Sequence, residues 1–126
     1  MTLFLYGTSL PGQPDNRWYE GLAMRPATVR GLLYRTARHR PALLPDPAGK
    51  PIQGALVDVE DARLPVLDLV ELAGQELLQR LPVRASAQLR SVEAQAWVLP
   101  PDTKAPRGWR RLLTDDWTRL ARRSAR

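Results

Sequence analysis

Two periods of apolar residues run along this chain, and the changes from one to the other mark most of its elements. The first block, Leu3-Phe4-Leu5-Tyr6, is a run of large apolar and aromatic residues cut off by Gly7-Thr8-Ser9 and then by Leu10-Pro11-Gly12. A run of this kind reads as a buried strand ending in a tight loop. Asp15 to Gly21, with Trp18 and Tyr19 followed by Leu22, fits a short helical turn or structured loop whose aromatics serve packing. Thr28 to Tyr34 reads as a strand through Val29, Leu32 and Leu33, and Gly31 inside it marks a bulge or a close approach of backbones. Arg38-His39-Arg40 makes a basic loop ahead of the short apolar segment Pro41 to Leu44. The Pro45 to Pro51 cluster is a turn without periodicity, and Ile52 to Val59 then alternates as a strand, so that the region resembles a long hairpin.

The period changes after Glu60. Leu64, Leu67 and Val70 recur at helical spacing, with Asp61 as the expected N-cap and Pro65 tolerated in the first turn. Leu77 to Ala87 and Ser91 to Leu99 return to alternation until Pro100 and Pro101 stop the pairing. Trp109, Leu112, Leu113, Trp117 and Leu120 again follow a helical spacing. Thr114 with Asp115 and Asp116 stands as its N-cap and acidic first turn, and Arg119, Arg122, Arg123 and Arg126 fill its last turns. About five strands and two or three helices without regular strand-helix alternation point to an α+β fold: a small mixed five- to six-stranded β-barrel with peripheral helices and a C-terminal amphipathic helix.

Composition narrows the chemistry. The 126 residues suffice for one domain with a core of its own, and the chain has no cysteine and one histidine. That excludes disulfides, a thiol nucleophile and Cys- or His-rich metal sites, and His39 reads as an exposed loop side chain. No metal or other cofactor is expected. The net charge of +6 suggests a nucleic-acid surface, yet the eight Lys and Arg and two acids after residue 103 carry the whole excess. The division is therefore a neutral body, 1–103, and a basic amphipathic segment, 104–126, packed on the same domain. Nucleic acid is not an expected partner, since no recognition motif accompanies the charge. With no signal-like or membrane-spanning stretch, the expected setting is a soluble cytoplasmic protein.

Two places draw attention for chemistry. The Gly7 to Ser9 loop is small and polar, so its N–H groups can approach a ligand closely, with the Tyr6 hydroxyl beside them. An ordinary strand-to-turn junction has the same composition. Asp68 and Glu71 are three apart near the C-terminal end of a helix, where the helix dipole favours cations, and that misplacement invites a functional reading. A solvated acidic face, or pairing with Arg63 or Arg80, is the alternative.

Taken in order, Phe4-Leu5-Tyr6-Gly7-Thr8-Ser9-Leu10-Pro11-Gly12, Val29-Arg30-Gly31-Leu32-Leu33-Tyr34, Pro41-Ala42-Leu43, Gly54 to Val59, Leu67-Asp68-Leu69-Val70-Glu71, Arg80 to Arg84 and Ala94 to Val98 resemble the gamma-glutamylcyclotransferase-like family over residues 3 to about 99. The resemblance implies a mixed β-barrel with a cavity at its mouth, and a γ-glutamyl small-molecule substrate cyclised to 5-oxoproline with release of an amine. It assigns Glu71 to the family's catalytic glutamate and Tyr6, Gly7, Thr8 and Ser9, with Leu10 after them, to its substrate-cradling loop. Leu78 and Trp97 fall at pocket-wall positions. This chain departs from the family pattern at Leu72, where glycine is usual, at Leu78, where tyrosine is common, and at Ser9, where leucine or asparagine is common. A non-catalytic small-molecule-binding or interaction module on the same barrel is the competing expectation.

Overall fold

A computed structural model describes residues 1–113 and Trp117. Seven strands, β1 (Thr2–Leu5), β2 (Met24–Arg35), β3 (Pro41–Pro45), β4 (Lys50–Asp58), β5 (Gln79–Ala87), β6 (Arg90–Val98) and β7 (Arg110–Arg111), surround one core, with helix α1 (Leu64–Leu72) between β4 and β5. Short 3-10 turns cover Gly7–Ser9, Pro14–Tyr19 and Asp61–Arg63.

β1 is antiparallel to β4, from Thr2 opposite Asp58 to Leu5 opposite Ala55, and parallel to β6 through Leu3 and Gln95. β5 and β6 form a hairpin, and β4 lies along β2 from Met24 opposite Val57 to Gly31 opposite Lys50. The pairing of Thr28 with Ser86 joins β2 to β5 and closes the ring β2-β4-β1-β6-β5 into a barrel. Closure removes the open edges that a five-stranded sheet would otherwise expose.

The alternation of β1 explains its apolar run. Phe4 and Tyr6 point into the barrel with Val29, Leu33, Ile52, Leu56, Val83, Ala96 and Val98, while Leu3 and Leu5 face outward to Leu64 and Leu67 of α1 and to Tyr19. Both faces are covered, so no polar position is tolerated. α1 is thereby laid on the outer wall, across from the Gly7–Ser9 turn.

Several expected boundaries shift for identifiable reasons. The Pro45 to Pro51 cluster does not reverse the chain, because β3 and β4 both run antiparallel to β2 and Gly31 lies opposite both Pro45 and Lys50. The long hairpin is β2 against β3 and β4 in succession. Gly31 does mark a close approach, since a Cβ there would lie 2.4 Å from the Leu44 carbonyl oxygen. Asp61 does not cap α1: a 3-10 turn intervenes, and its carboxylate accepts from the chain's terminal amine at 3.1 Å. β5 begins at Gln79, because Leu72 to Leu78 is bound up in turns in which Gln75 N–H donates to Leu72 and Leu78 N–H donates to Gln75.

The C-terminal amphipathic helix is not supported over 109–113. Arg110 and Arg111 pair as β7 with Arg35 and Tyr34, and the Leu112 N–H donates to the Leu33 carbonyl at 2.8 Å. An unpaired strand edge overrides the weak helical preference of so short a stretch. The expected cap at Thr114 to Asp116 and the arginines at 119, 122, 123 and 126 lie outside the described residues. Trp117 is buried in the barrel core, and the Trp109 ring packs tilted on Tyr34 at 6.4 Å.

Candidate active site

The site is assembled where the loop after β1 meets the C-terminal end of α1. Glu71 stands at that end, and its Oε1 accepts two hydrogen bonds, from Ser9 Oγ at 2.8 Å and from Tyr19 Oη at 2.7 Å. The two segments singled out in the sequence are therefore in direct contact across the pocket. Glu71 Oε2 carries no hydrogen bond to the described residues, which leaves one oxygen for a proton. Burial raises the Glu71 pKa above the ordinary carboxylate range. The two hydroxyl donors work against that rise, Asp15 adds to it and Arg40 offsets it.

Tyr19, packed with Leu3, Leu5 and Leu67 on the outer face of β1, gives the carboxylate a phenol donor. Burial first, and then the negative charge of Glu71, push its hydroxyl far above its ordinary pKa, so it stays a donor. Asp68, on the same helix, has a separate role. It pairs with Arg80, Nε to Oδ1 at 2.8 Å, and Oδ1 also accepts the Trp97 indole N–H at 2.9 Å. The alternative pairing expected for the acidic face thus holds for Asp68 and not for Glu71.

Around Glu71 the concavity is lined by Tyr6, Thr8, Ser9, Arg40, Gln75, Leu78 and Trp97, among others. Its enclosed part is about 20 Å³, room for a water molecule. The positions expected at the pocket wall, Leu78 and Trp97, are there. So are Tyr6, Thr8 and Ser9, although the Tyr6 hydroxyl is spent on structure: it donates to the Trp97 carbonyl at 2.7 Å and accepts the Leu43 N–H at 3.0 Å. Burial holds it protonated.

Gly7 and Leu10 shape the loop without forming the wall. Gly7 has φ +66°, and a Cβ there would lie 2.4 Å from Pro41 Cγ, so only glycine lets the β3 segment close against the loop. The Leu10 N–H closes the turn on the Gly7 carbonyl at 3.2 Å, and its side chain joins the outer core beside Tyr19. The 3-10 turn leaves the N–H groups of Gly7 and Thr8 without acceptors inside the turn.

Sequence reading missed Tyr19, Arg40 and Gln75 as members of the site. Tyr19 read as packing and Arg40 as part of a basic loop, and neither carries a local signal, because each is brought near Glu71 only by the fold. Gln75 is buried and polar in the turn after α1, a combination no periodicity reveals. Among the described residues no cluster of His, Cys, Asp and Glu could hold a metal ion.

The family model for gamma-glutamyl cyclotransferase, AIG2-like, matches residues 3–119. The chain belongs to this family. The barrel fold is shared with solved structures at low identity. An uncharacterized protein from Pyrococcus horikoshii superposes with TM-score 0.74 at 15% identity, covering 99% of this chain and 96% of that one. An AIG2-like protein from Mus musculus gives 0.66 at 22% identity, covering 83% and 79%. A structure described as gamma-glutamyl cyclotransferase gives 0.62 at 13%, covering 79% and 66%. Likeness at these identities shows the family's fold. No curated protein sequence matches the chain.

Proposed function

We propose that this member of the family is an active γ-glutamyl cyclotransferase that releases 5-oxoproline from a small γ-glutamyl amine or peptide, with Glu71 as its proton carrier. The observation that carries the reading is the arrangement at Glu71: a raised-pKa carboxylate, fixed by Ser9 and Tyr19 through one oxygen, with the other oxygen free in a pocket lined by the loop after β1.

The reaction needs no enzyme nucleophile. The substrate's own α-amine attacks its γ-carbonyl, a nitrogen–carbon bond forms, and the bond from that carbon to the departing nitrogen breaks. Starting from the α-ammonium, the attacking nitrogen gives up two protons and keeps one as the lactam N–H; Glu71 takes each in turn and passes them to the leaving nitrogen, which departs as an ammonium, so atoms and charge balance over the cycle. A carboxylate whose pKa is raised by burial is suited to both halves of that transfer. Free N–H groups at Gly7 and Thr8 are suited to the carbonyl oxygen as it gains charge. Holding the flexible γ-glutamyl chain folded on itself supplies the remainder by bringing amine and carbonyl together.

Purified protein offered a panel of γ-glutamyl amines and peptides should liberate 5-oxoproline from at least one, and Glu71→Gln should lose ~100- to 10,000-fold in rate while keeping its fold. A panel that yields no 5-oxoproline, or an undiminished Glu71→Gln enzyme, would reject the assignment and leave a binding module on the same barrel.

A further inference from the structure

Arg40 is the anomaly of the pocket. Its Nε is the one buried side-chain nitrogen or oxygen among the described residues that has no hydrogen-bond partner. The rest of its guanidinium makes a single contact, Nη2 to Asp15 Oδ2 at 3.5 Å, too long to count as a good charge-assisted hydrogen bond. Arg80 shows how a structural arginine in this protein is treated: Nε and Nη2 both engage Asp68, and Nη1 donates to Gln95. Buried donors in folded proteins are paired almost without exception, so an orphan on a residue that lines the concavity at Glu71 calls for an explanation.

The position of Arg40 is not accidental. The tip between β2 and β3 is locked on both sides of it. Its own N–H donates to Thr36 Oγ1 at 3.1 Å, and its carbonyl accepts the Thr36 N–H at 2.8 Å. His39 takes a left-handed conformation, φ 61°, to make that turn. Pro41 then seats against Gly7, and Arg40 lines the concavity together with Thr8, Ser9 and Glu71. The backbone is fixed and the side-chain donors are left over.

We infer that Arg40 is the carboxylate-binding residue of this pocket, with its Nε and one Nη taking the two oxygens of a substrate carboxylate and Asp15 holding the guanidinium in place until the ligand arrives. A planar fork with two adjacent donors fits a carboxylate in the two-pronged way that a lysine ammonium does not. The inference rests on the cyclotransferase reading for the identity of the ligand. Under that reading the carboxylate belongs either to the glutamyl α-carbon or to an amino acid released as the amine.

Binding measurements separate this from turnover. Calorimetric titration of the wild type should show 5-oxoproline bound roughly ten- to a hundredfold more tightly than 2-pyrrolidinone, its analogue without the carboxylate. Arg40→Met should abolish the difference, and Arg40→Lys should keep only a small part of it. Asp15→Asn, which frees the guanidinium, should enlarge it. Arg40→Met also removes an unpaired buried donor, so its melting temperature should be at or above that of the wild type. If Arg40→Met retains the preference for 5-oxoproline yet raises KM for γ-glutamyl amino acids and not for γ-glutamyl amines, the carboxylate is that of the released amino acid, and the inference stands. Equal losses for charged and neutral ligands, or unchanged binding of both together with an unchanged KM for γ-glutamyl amino acids, would overturn it. Failure of the cyclotransferase reading looks different: no 5-oxoproline is formed by the wild type, whatever Arg40 does to binding.

Discussion

At the scale of single residues, the proposal turns on how Glu71 holds its proton. Burial raises its folded-state pKa above the value it has in the unfolded chain. The stabilisation linked to that shift is present below the unfolded value of about 4.3 and is lost as pH rises through the folded pKa. Above the folded pKa the buried carboxylate is a net burden. Glu71→Gln keeps an oxygen that can accept from Ser9 and Tyr19, and it should unfold at higher temperature than the wild type near pH 8. That advantage should vanish below about pH 4. Thermal melts at the two pH values decide it. Under the proposed function the same acid should set the acid limb of activity, because it must be ionised to take the first proton. Tyr19 lowers its pKa by donating to it, so Tyr19→Phe should move that limb to higher pH, read as kcat/KM against pH. A limb that stays put would mean that Tyr19 only packs.

The elements show what could be read in advance and what could not. The strands with clear alternation, the helix with Leu64 and Leu67, and the loop after β1 were legible because each periodicity reflects the face it buries. Glu71 and the loop at Tyr6 to Ser9 stood out by residue type and by the family resemblance. The partners that make them a site were not legible. Tyr19 and Arg40 come from two connections distant from Glu71 in sequence and are brought near it only by the fold, while Gln75 follows it in the turn after α1. β7 was misread because Trp109 and Leu112 fit a helix period by chance, while the strand edge that captures Arg110 and Arg111 belongs to β2, far away in sequence. Tyr6 illustrates the converse case, since a hydroxyl expected to face substrate ties β3 to β6 instead. Tyr6→Phe should leave the Leu43 N–H and the Trp97 carbonyl without that buried partner, a loss of about 1–3 kcal/mol in urea unfolding. The pH limb set by Glu71 should not move with it. A shifted limb with unchanged stability would place the Tyr6 hydroxyl at the chemistry instead.

For the molecule as a whole, the open question is what the basic C-terminal segment contributes. Its charge alone suggests an arm for an acidic partner, since the body before it is neutral. Its contacts point elsewhere. Leu112 is hydrogen-bonded to β2, Lys50 Nζ donates to the Leu113 carbonyl at 3.3 Å, and Trp117 sits in the barrel core with Val29, Leu33 and Val83. Five strands enclose a lumen that side chains must fill, and alanine dominates the inner faces of β5 and β6 at Ala85, Ala94 and Ala96. A large ring delivered from the C-terminal segment fills the space those small residues leave. Trp117→Ala should therefore lower stability by about 3–5 kcal/mol, a large share of what a domain of this size has, with Trp117→Phe in between. Ending the chain after Leu113 should cause at least as large a loss, and it should appear in denaturant titrations with no partner present. An arm that only docks elsewhere would leave the midpoint where it was, since nothing in the barrel would depend on it.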